Sequence, residues 1–244
     1  MASGKGLLFV YGDHGGGVTE DDFNAWYDNE HAPARLTVPG ILTAVRYKAI
    51  DHKSPKWLAL YDMTGPSVLQ TDEYRSLRTN ASQNERNIIS RLSLLNRQIF
   101  TLISLISSSS TSQTAYGKFL YVVHMNVITT KESEVDHEAE FINWYSATRI
   151  ELLRRVPGWI RSRVFKIEGH LELAGMVDKV SPLVKKPPTK FIALHEWDTE
   201  GIEVIGSTKF KECMTAEQPW TTEIQKAYAE MEDRRFALYK TFDQ

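Results

Sequence analysis

The chain has 244 residues, 29 Lys and Arg against 31 Asp and Glu, and a mean hydropathy of −0.34, the profile of a globular protein in water. A net charge of −2 supplies no long-range positive field, so nucleic acid and anionic membranes are not expected partners. The single Cys213 cannot close an intramolecular disulfide and no Cys/His zinc spacing occurs, which excludes a stapled secreted scaffold and makes a cytoplasmic location the expectation.

Taken in chain order, Leu7 to Tyr11 is a β-rich run, too short to be the apolar core of a signal peptide. Thr19 followed by Glu20, Asp21 and Asp22 reads as a capped helix start, and that helix runs toward Val38 before Pro39-Gly40 ends it. Ile41 to Ile50 and Trp57 to Met63 read as two strands. Gly65-Pro66 opens a second helical region, and Arg97 to Ile103 reads as a closing strand. The order is β-α-β-β-α-β, the ferredoxin-like arrangement of helices on one face of an antiparallel sheet.

The chain then repeats itself. Phe23-Asn-Ala-Trp26-Tyr27 is echoed by Phe141-Ile-Asn-Trp144-Tyr145, and at the same offset Val38-Pro39-Gly40 returns as Val156-Pro157-Gly158. Trp57 to Asp62 lies over Phe191 to Glu196, and Ile88, Phe100 and Leu102 correspond to Ile224, Phe236 and Leu238. The expected organisation is a tandem duplication: a repeat over 1–106, a Ser/Thr-rich linker over 107–116, and a second repeat over 117–244 with a loop insertion around Gly169 to Thr189.

The residues Trp26-Tyr27-Asp28-Asn29-Glu30-His31-Ala32-Pro33, with Val38-Pro39-Gly40 and Arg46-Tyr47 downstream, resemble the EthD-like branch of the dimeric α+β barrel family. In the second repeat the motif has decayed, with Thr148-Arg149 in place of Glu30-His31 and Glu151 in place of Pro33. The resemblance implies an α+β fold in which two ferredoxin-like repeats pack sheet to sheet as an intramolecular, pseudo-dimeric barrel around a small-molecule cavity. A monomer of this kind and a homodimer are both open. Relatives include decarboxylases, cyclases, dehydratases, oxygenases and haem-binding enzymes.

His31 is the leading catalytic candidate, because imidazole exchanges protons near neutral pH. Tyr27, His31 and Arg35 stand at i, i+4 and i+8 on one helix face, with Pro33 expected to kink the helix beside them. By strand parity Tyr11 lies with Leu7 and Phe9, and its counterpart His124 with Leu120 and Val122. Trp57, Ala59 and Tyr61 share a face, as do Phe191, Ala193 and His195. The expectation is that all these faces line the barrel lumen, giving an apolar pocket with two Tyr and two His. Arg161 and Arg163 alternate along one strand, as carboxylate or enolate binders or as solvated edge residues.

The catalytic set is therefore His31, His124, His195 and Tyr11. The substrate-binding set is Tyr27, Tyr61, Trp57, Arg35, Phe191, Arg161 and Arg163. No nucleotide, flavin, acyl-serine or zinc motif occurs, and no cofactor or metal is expected. The function read from this pattern is a cofactor-independent lyase, cyclase or isomerase acting by acid/base chemistry on a small apolar or aromatic natural-product intermediate. A non-catalytic ligand-binding protein and a haem-dependent oxygenase, for which one His suffices as axial ligand, are the alternatives.

Overall fold

The computed structural model describes residues 5–108, 116–127, 137–172, 187–215 and 229–242. Ile224, residues 109–115 of the Ser/Thr-rich stretch and residues 173–186 of the expected insertion lie outside these. Two compact units are distinguished: Met1–Leu102 with Ile167–Pro188 and Tyr239–Gln244, and Ile103–Lys166 with Thr189–Leu238.

The first unit runs β1 (Gly6–Asp13), α1 (Glu20–Trp26), a π-helical turn (Tyr27–His31), α2 (Ala32–Leu36), β2 (Ala44–Ala49) and β3 (Trp57–Met63). A 3-10 turn (Pro66–Gln70), α3 (Asp72–Thr79), α4 (Gln83–Arg91) and β4 (Leu94–Ser107) follow, the end of β4 from Ile103 being counted in the second unit. All of its described strand pairs are antiparallel, in the order β2-β3-β1-β4. Opposite partners Leu8↔Tyr61 and Val10↔Ala59 point to the helix side, where they meet Phe23, Trp26, Tyr27, Val38, Ile88 and Leu92 in one apolar core.

Local chemistry explains the helix ends. Thr19 accepts from the Asp22 backbone, Thr71 from Tyr74 and Ser82 from Glu85, so three helices begin on side-chain caps. At the Tyr27–His31 turn the Ala32 N–H reaches back to the Tyr27 carbonyl, one residue further than in an α-helix. Pro33 follows at once and has no N–H to give, so the wider turn stands where the sequence predicts a kink. Gly40 closes the segment at φ +93, where a Cβ would come within 2.7 Å of Val68.

The second unit has a similar order: β5 (Phe119–Val127), α5 (His137–Trp144), a π-helical turn (Tyr145–Ile150), α6 (Glu151–Leu153), β6 (Trp159–Glu172), β7 (Phe191–Trp197), α7 (Gly201–Gly206), α8 (Thr208–Thr215) and β8 (Ala229–Phe242), with the ends of β6 from Ile167 and of β8 from Tyr239 counted in the first unit. Its strands pair antiparallel in the order β6-β7-β5-β8, with a register irregularity between Trp159 and Arg161. Phe119, Tyr121, Val123, Phe191, Ala193 and Trp197 face the helices and pack on Phe141, Tyr145, Leu153 and Phe210. The π turn recurs although Glu151 stands in Pro33's place, so proline is not its sole cause. Both units are α+β, and no helix among the described residues is long and apolar enough to cross a membrane.

Candidate functional site

The sheet faces separate residues that the sequence grouped together. Tyr61 and Trp57 lie on the helix side of unit 1, and His195 and Phe191 on the helix side of unit 2. Tyr11 and His124 lie on the opposite faces, so the expected single lumen wall of two Tyr and two His is corrected. The reason is that β1 and β7 are buried on both sides: Leu7 to Tyr11 and Phe191 to Trp197 are buried without a break, and alternation carries no information about which face meets the helices.

Each residue has a definite environment. Tyr11 packs edge-on against Phe9, with ring centroids 4.7 Å apart. His124 Nδ1 lies 3.3 Å from Thr189 Oγ1. His195 is fully buried, its Nδ1 2.7 Å from Ser162 Oγ and its Nε2 2.9 Å from the Tyr145 hydroxyl. Burial, with help from Arg149, pushes its pKa down to about 3, so it is a neutral core histidine with both ring nitrogens engaged.

Arg161 and Arg163 are not solvated edge residues. Both are buried and bind the fully buried Glu196, Arg161 through Nε at 2.8 Å and Nη2 at 2.9 Å, and Arg163 through Nη2 at 3.1 Å. Burial alone would raise the Glu196 carboxyl, but the two guanidiniums and the Gly117 N–H hold it below the usual range.

His31, Tyr27, Arg35 and Tyr61 do come together, on the helix side of unit 1. The π turn places the Tyr27 and His31 rings 4.8 Å apart, and Trp26 packs on the imidazole at 4.4 Å. Tyr61 donates to the Tyr27 hydroxyl at 3.2 Å, and Arg35 Nη1 donates to the His31 carbonyl at 2.6 Å. Trp57 stands nearby in a box of Phe23, Tyr27, Trp57 and Tyr239 rings that holds the buried Arg46 guanidinium, itself paired with Asp28.

The residue that sequence reasoning missed is Glu85 on α4. Its Oε1 lies 2.8 Å from His31 Nδ1 and its Oε2 accepts from Trp26 Nε1. Burial would raise its pKa, but the His31 hydrogen bond and nearby positive charge hold it below the usual carboxylate range. Burial pushes His31 down to about 3, with Arg35 adding to the effect and Glu85 opposing it. The pair is therefore a carboxylate and a neutral imidazole whose Nδ1–H donates to it, which leaves Nε2 as the basic nitrogen. No hydrogen bond to Nε2 occurs among the described residues. The available signal was Glu85 at helical spacing with Ile88 and Ile89, a carboxylate on an apolar face that needs a buried partner.

Beside this pair opens a cavity of about 490 Å³ lined by Glu85 and Arg35, with Tyr74, Leu77, Ala81, Ile89 and Leu171 as its largely apolar walls. Arg78, Arg86, Ser90 and Arg97 also line it, and Arg97 Nη2 donates to the Tyr74 hydroxyl at 2.7 Å. His31 itself adjoins the cavity through its two partners on the wall. In unit 2 Arg149 stands where His31 stood, its guanidinium bound to the Cys213 carbonyl and lying 3.4 Å from Met214 Sδ. No group of three or more His, Cys, Asp and Glu side chains is placed to hold a bare metal ion among the described residues.

No protein-family model matches the chain, and no curated protein does. Solved structures do. An anthrone oxidase-like protein matches with a TM-score of 0.58 at 10% identity, over 98% of this chain and 93% of that one. A proposed monooxygenase from Fusobacterium nucleatum matches at 0.55 and 9%, over 99% and 95%. A heme-binding protein from Thermus thermophilus matches at 0.51 and 12%, over 97% and 92%. These neighbours turn the reading away from a cofactor-independent lyase, cyclase or isomerase, which none of their descriptions names. Within unit 2, His124 and His195 lie on opposite faces of the sheet, and burial holds His31 and His195 neutral. At such low identity the likeness concerns architecture alone: the chain shares the α+β fold of these solved structures.

Proposed function

We propose that the chain is a haem-dependent oxidative enzyme, an oxygenase or oxidase of small organic molecules, working at the helix-side cavity of unit 1. The observation that carries this reading is the buried His31–Glu85 pair next to a mostly apolar cavity. The descriptions of the structural neighbours, an anthrone oxidase-like protein, a proposed monooxygenase and a heme-binding protein, support the reaction class.

The residues present suit haem by the chemistry of the donor set. Among the described residues no histidine lines the cavity itself; His31, joined to its wall by Glu85 and Arg35, is the side chain that would hold the iron through Nε2, with the Glu85 carboxylate on Nδ1 fixing the tautomer. Arg78, Arg86 and Arg97 are the cations that would face the propionates. His195 is a poor alternative, since both of its nitrogens are engaged. When bound, haem would supply one-electron and oxygen chemistry that no side chain here provides. The protein's own part is positional. Trp26 and Tyr27 fix the imidazole plane, burial keeps His31 unprotonated, Arg35 pins the π turn through the His31 carbonyl, and Leu77, Ile89 and Leu171 supply apolar lining.

We also infer that the two units are copies of one EthD-like ancestor. Supporting this are the matched element order, the π turn after Trp26 and after Trp144, glycines at positive φ at Gly40 and Gly158, and the Tyr27–Tyr61 contact mirrored by Tyr145–His195. Only the first copy keeps a histidine at the turn.

Protein purified from haem-supplied cells should show a Soret band and consume oxygen with an electron-rich aromatic substrate. A colourless preparation that also fails to take up added haemin refutes the reading. Haem uptake with every tested ligand recovered unchanged would instead mark a carrier.

A further inference from the structure

The unit 1 cavity carries more positive charge than its walls neutralise. Four arginines, Arg35, Arg78, Arg86 and Arg97, line it against one carboxylate, Glu85. Both oxygens of Glu85 are already taken by His31 and Trp26. Arg35 is buried, at 8% exposure, and its one described hydrogen bond goes to the His31 carbonyl. Arg97 stands opposite Val10 and so projects to the helix side, where Nη2 meets Tyr74 while Nε is buried with no hydrogen-bond partner. Among the described residues no ion pair joins Arg35 or Arg97 to a carboxylate. A guanidinium cannot shed its charge on burial as a lysine can, and the one carboxylate of this wall, Glu85, lies near Arg35 but cannot balance four arginines.

We propose that this cavity selects an organic anion: an elongated or flat apolar body that lies along Tyr74, Leu77, Ile89 and Leu171 and presents a carboxylate, phenolate or sulfonate to Arg97 and Arg35. The inference rests on the reading of this cavity as the ligand site, but not on haem being the ligand. The same chemistry has two sources, the acid group of a substrate and a haem propionate.

The test uses two dyes with nearly the same ring system, anilinonaphthalene sulfonate and uncharged N-phenylnaphthylamine, titrated by fluorescence into the full chain. The anion should bind at least about tenfold more tightly than the neutral dye. Arg97→Gln should remove about that factor for the anion and leave the neutral dye unchanged, while Arg97→Lys should restore part of it. Equal binding of the two dyes, or an anion affinity indifferent to Arg97→Gln in a variant that melts like wild type, overturns the proposal. Displacement arms separate the sources. Haemin that displaces the anionic dye where its dimethyl ester does not points to a propionate, and an aromatic carboxylate that competes where haemin does not points to a substrate acid. Failure of all of them to displace the dye also overturns the proposal. Because the dyes report without haem, an absent Soret band with anion selectivity intact would refute the haem reading alone.

Discussion

Acidification should destabilise this protein through His195 by an amount that can be worked out in advance. In the fold burial pushes His195 down to about 3, whereas the unfolded chain titrates it near 6.5. A depressed histidine is neutral when folded, so its contribution is fully present above pH 6.5 and is lost as pH falls through the window from 6.5 toward 3. Between pH 7 and pH 5 the unfolded state gains about one proton that the folded state refuses, which costs about 2 kcal/mol. Urea unfolding at half-unit pH steps measures this as a slope. His195→Gln keeps a hydrogen-bonding side chain between Ser162 and Tyr145 but removes the titration. Its stability should therefore depend on pH less steeply, by about 1.3 kcal/mol per pH unit near pH 5. Glu196 also loses stabilisation on acidification, but its titration in the unfolded chain centres near 4.5, below most of this window. Equal slopes in wild type and His195→Gln would show that His195 is protonated or solvated in the fold and would refute the reasoning.

Further outcomes follow from the same contacts. Glu85→Ala leaves the His31 Nδ1–H and Trp26 Nε1–H without their acceptor and should lower stability by about 3 kcal/mol in chemical denaturation. Arg46→Ala empties the aromatic box and leaves Asp28 with Lys240 alone, so a loss of about 3 kcal/mol is expected from the same assay, with Arg46→Lys intermediate. Gly40→Ala puts a Cβ against Val68 at φ +93 and should lower the melting temperature by several degrees, from a penalty of about 1–2 kcal/mol.

Much of the architecture was legible because periodicity and punctuation agree. Thr19 with its acids, Pro39-Gly40 and Gly65-Pro66 mark the breaks that the structure shows, and Tyr27, His31 and Arg35 meet where helical spacing put them. The strand faces were not legible. In Phe191-Ile-Ala-Leu-His195-Glu196-Trp197 every residue is buried, and the charged Glu196 sits inside because two arginines on the neighbouring strand meet it. Strand pairing, not local sequence, decided that. The site was half legible. His31 stood out by its chemistry, whereas Glu85 and Arg97 reach it from elements far along the chain, and a lone charge on an amphipathic helix or strand reads as solvated until its partner is seen.

The most direct test of the central claim is a haemin titration followed by absorbance on wild type, His31→Ala, His124→Ala and His195→Gln. The reading predicts a saturating Soret band in wild type, retained by the His124 and His195 variants and lost or shifted in His31→Ala. A band unchanged in His31→Ala, or absent from wild type, would contradict it.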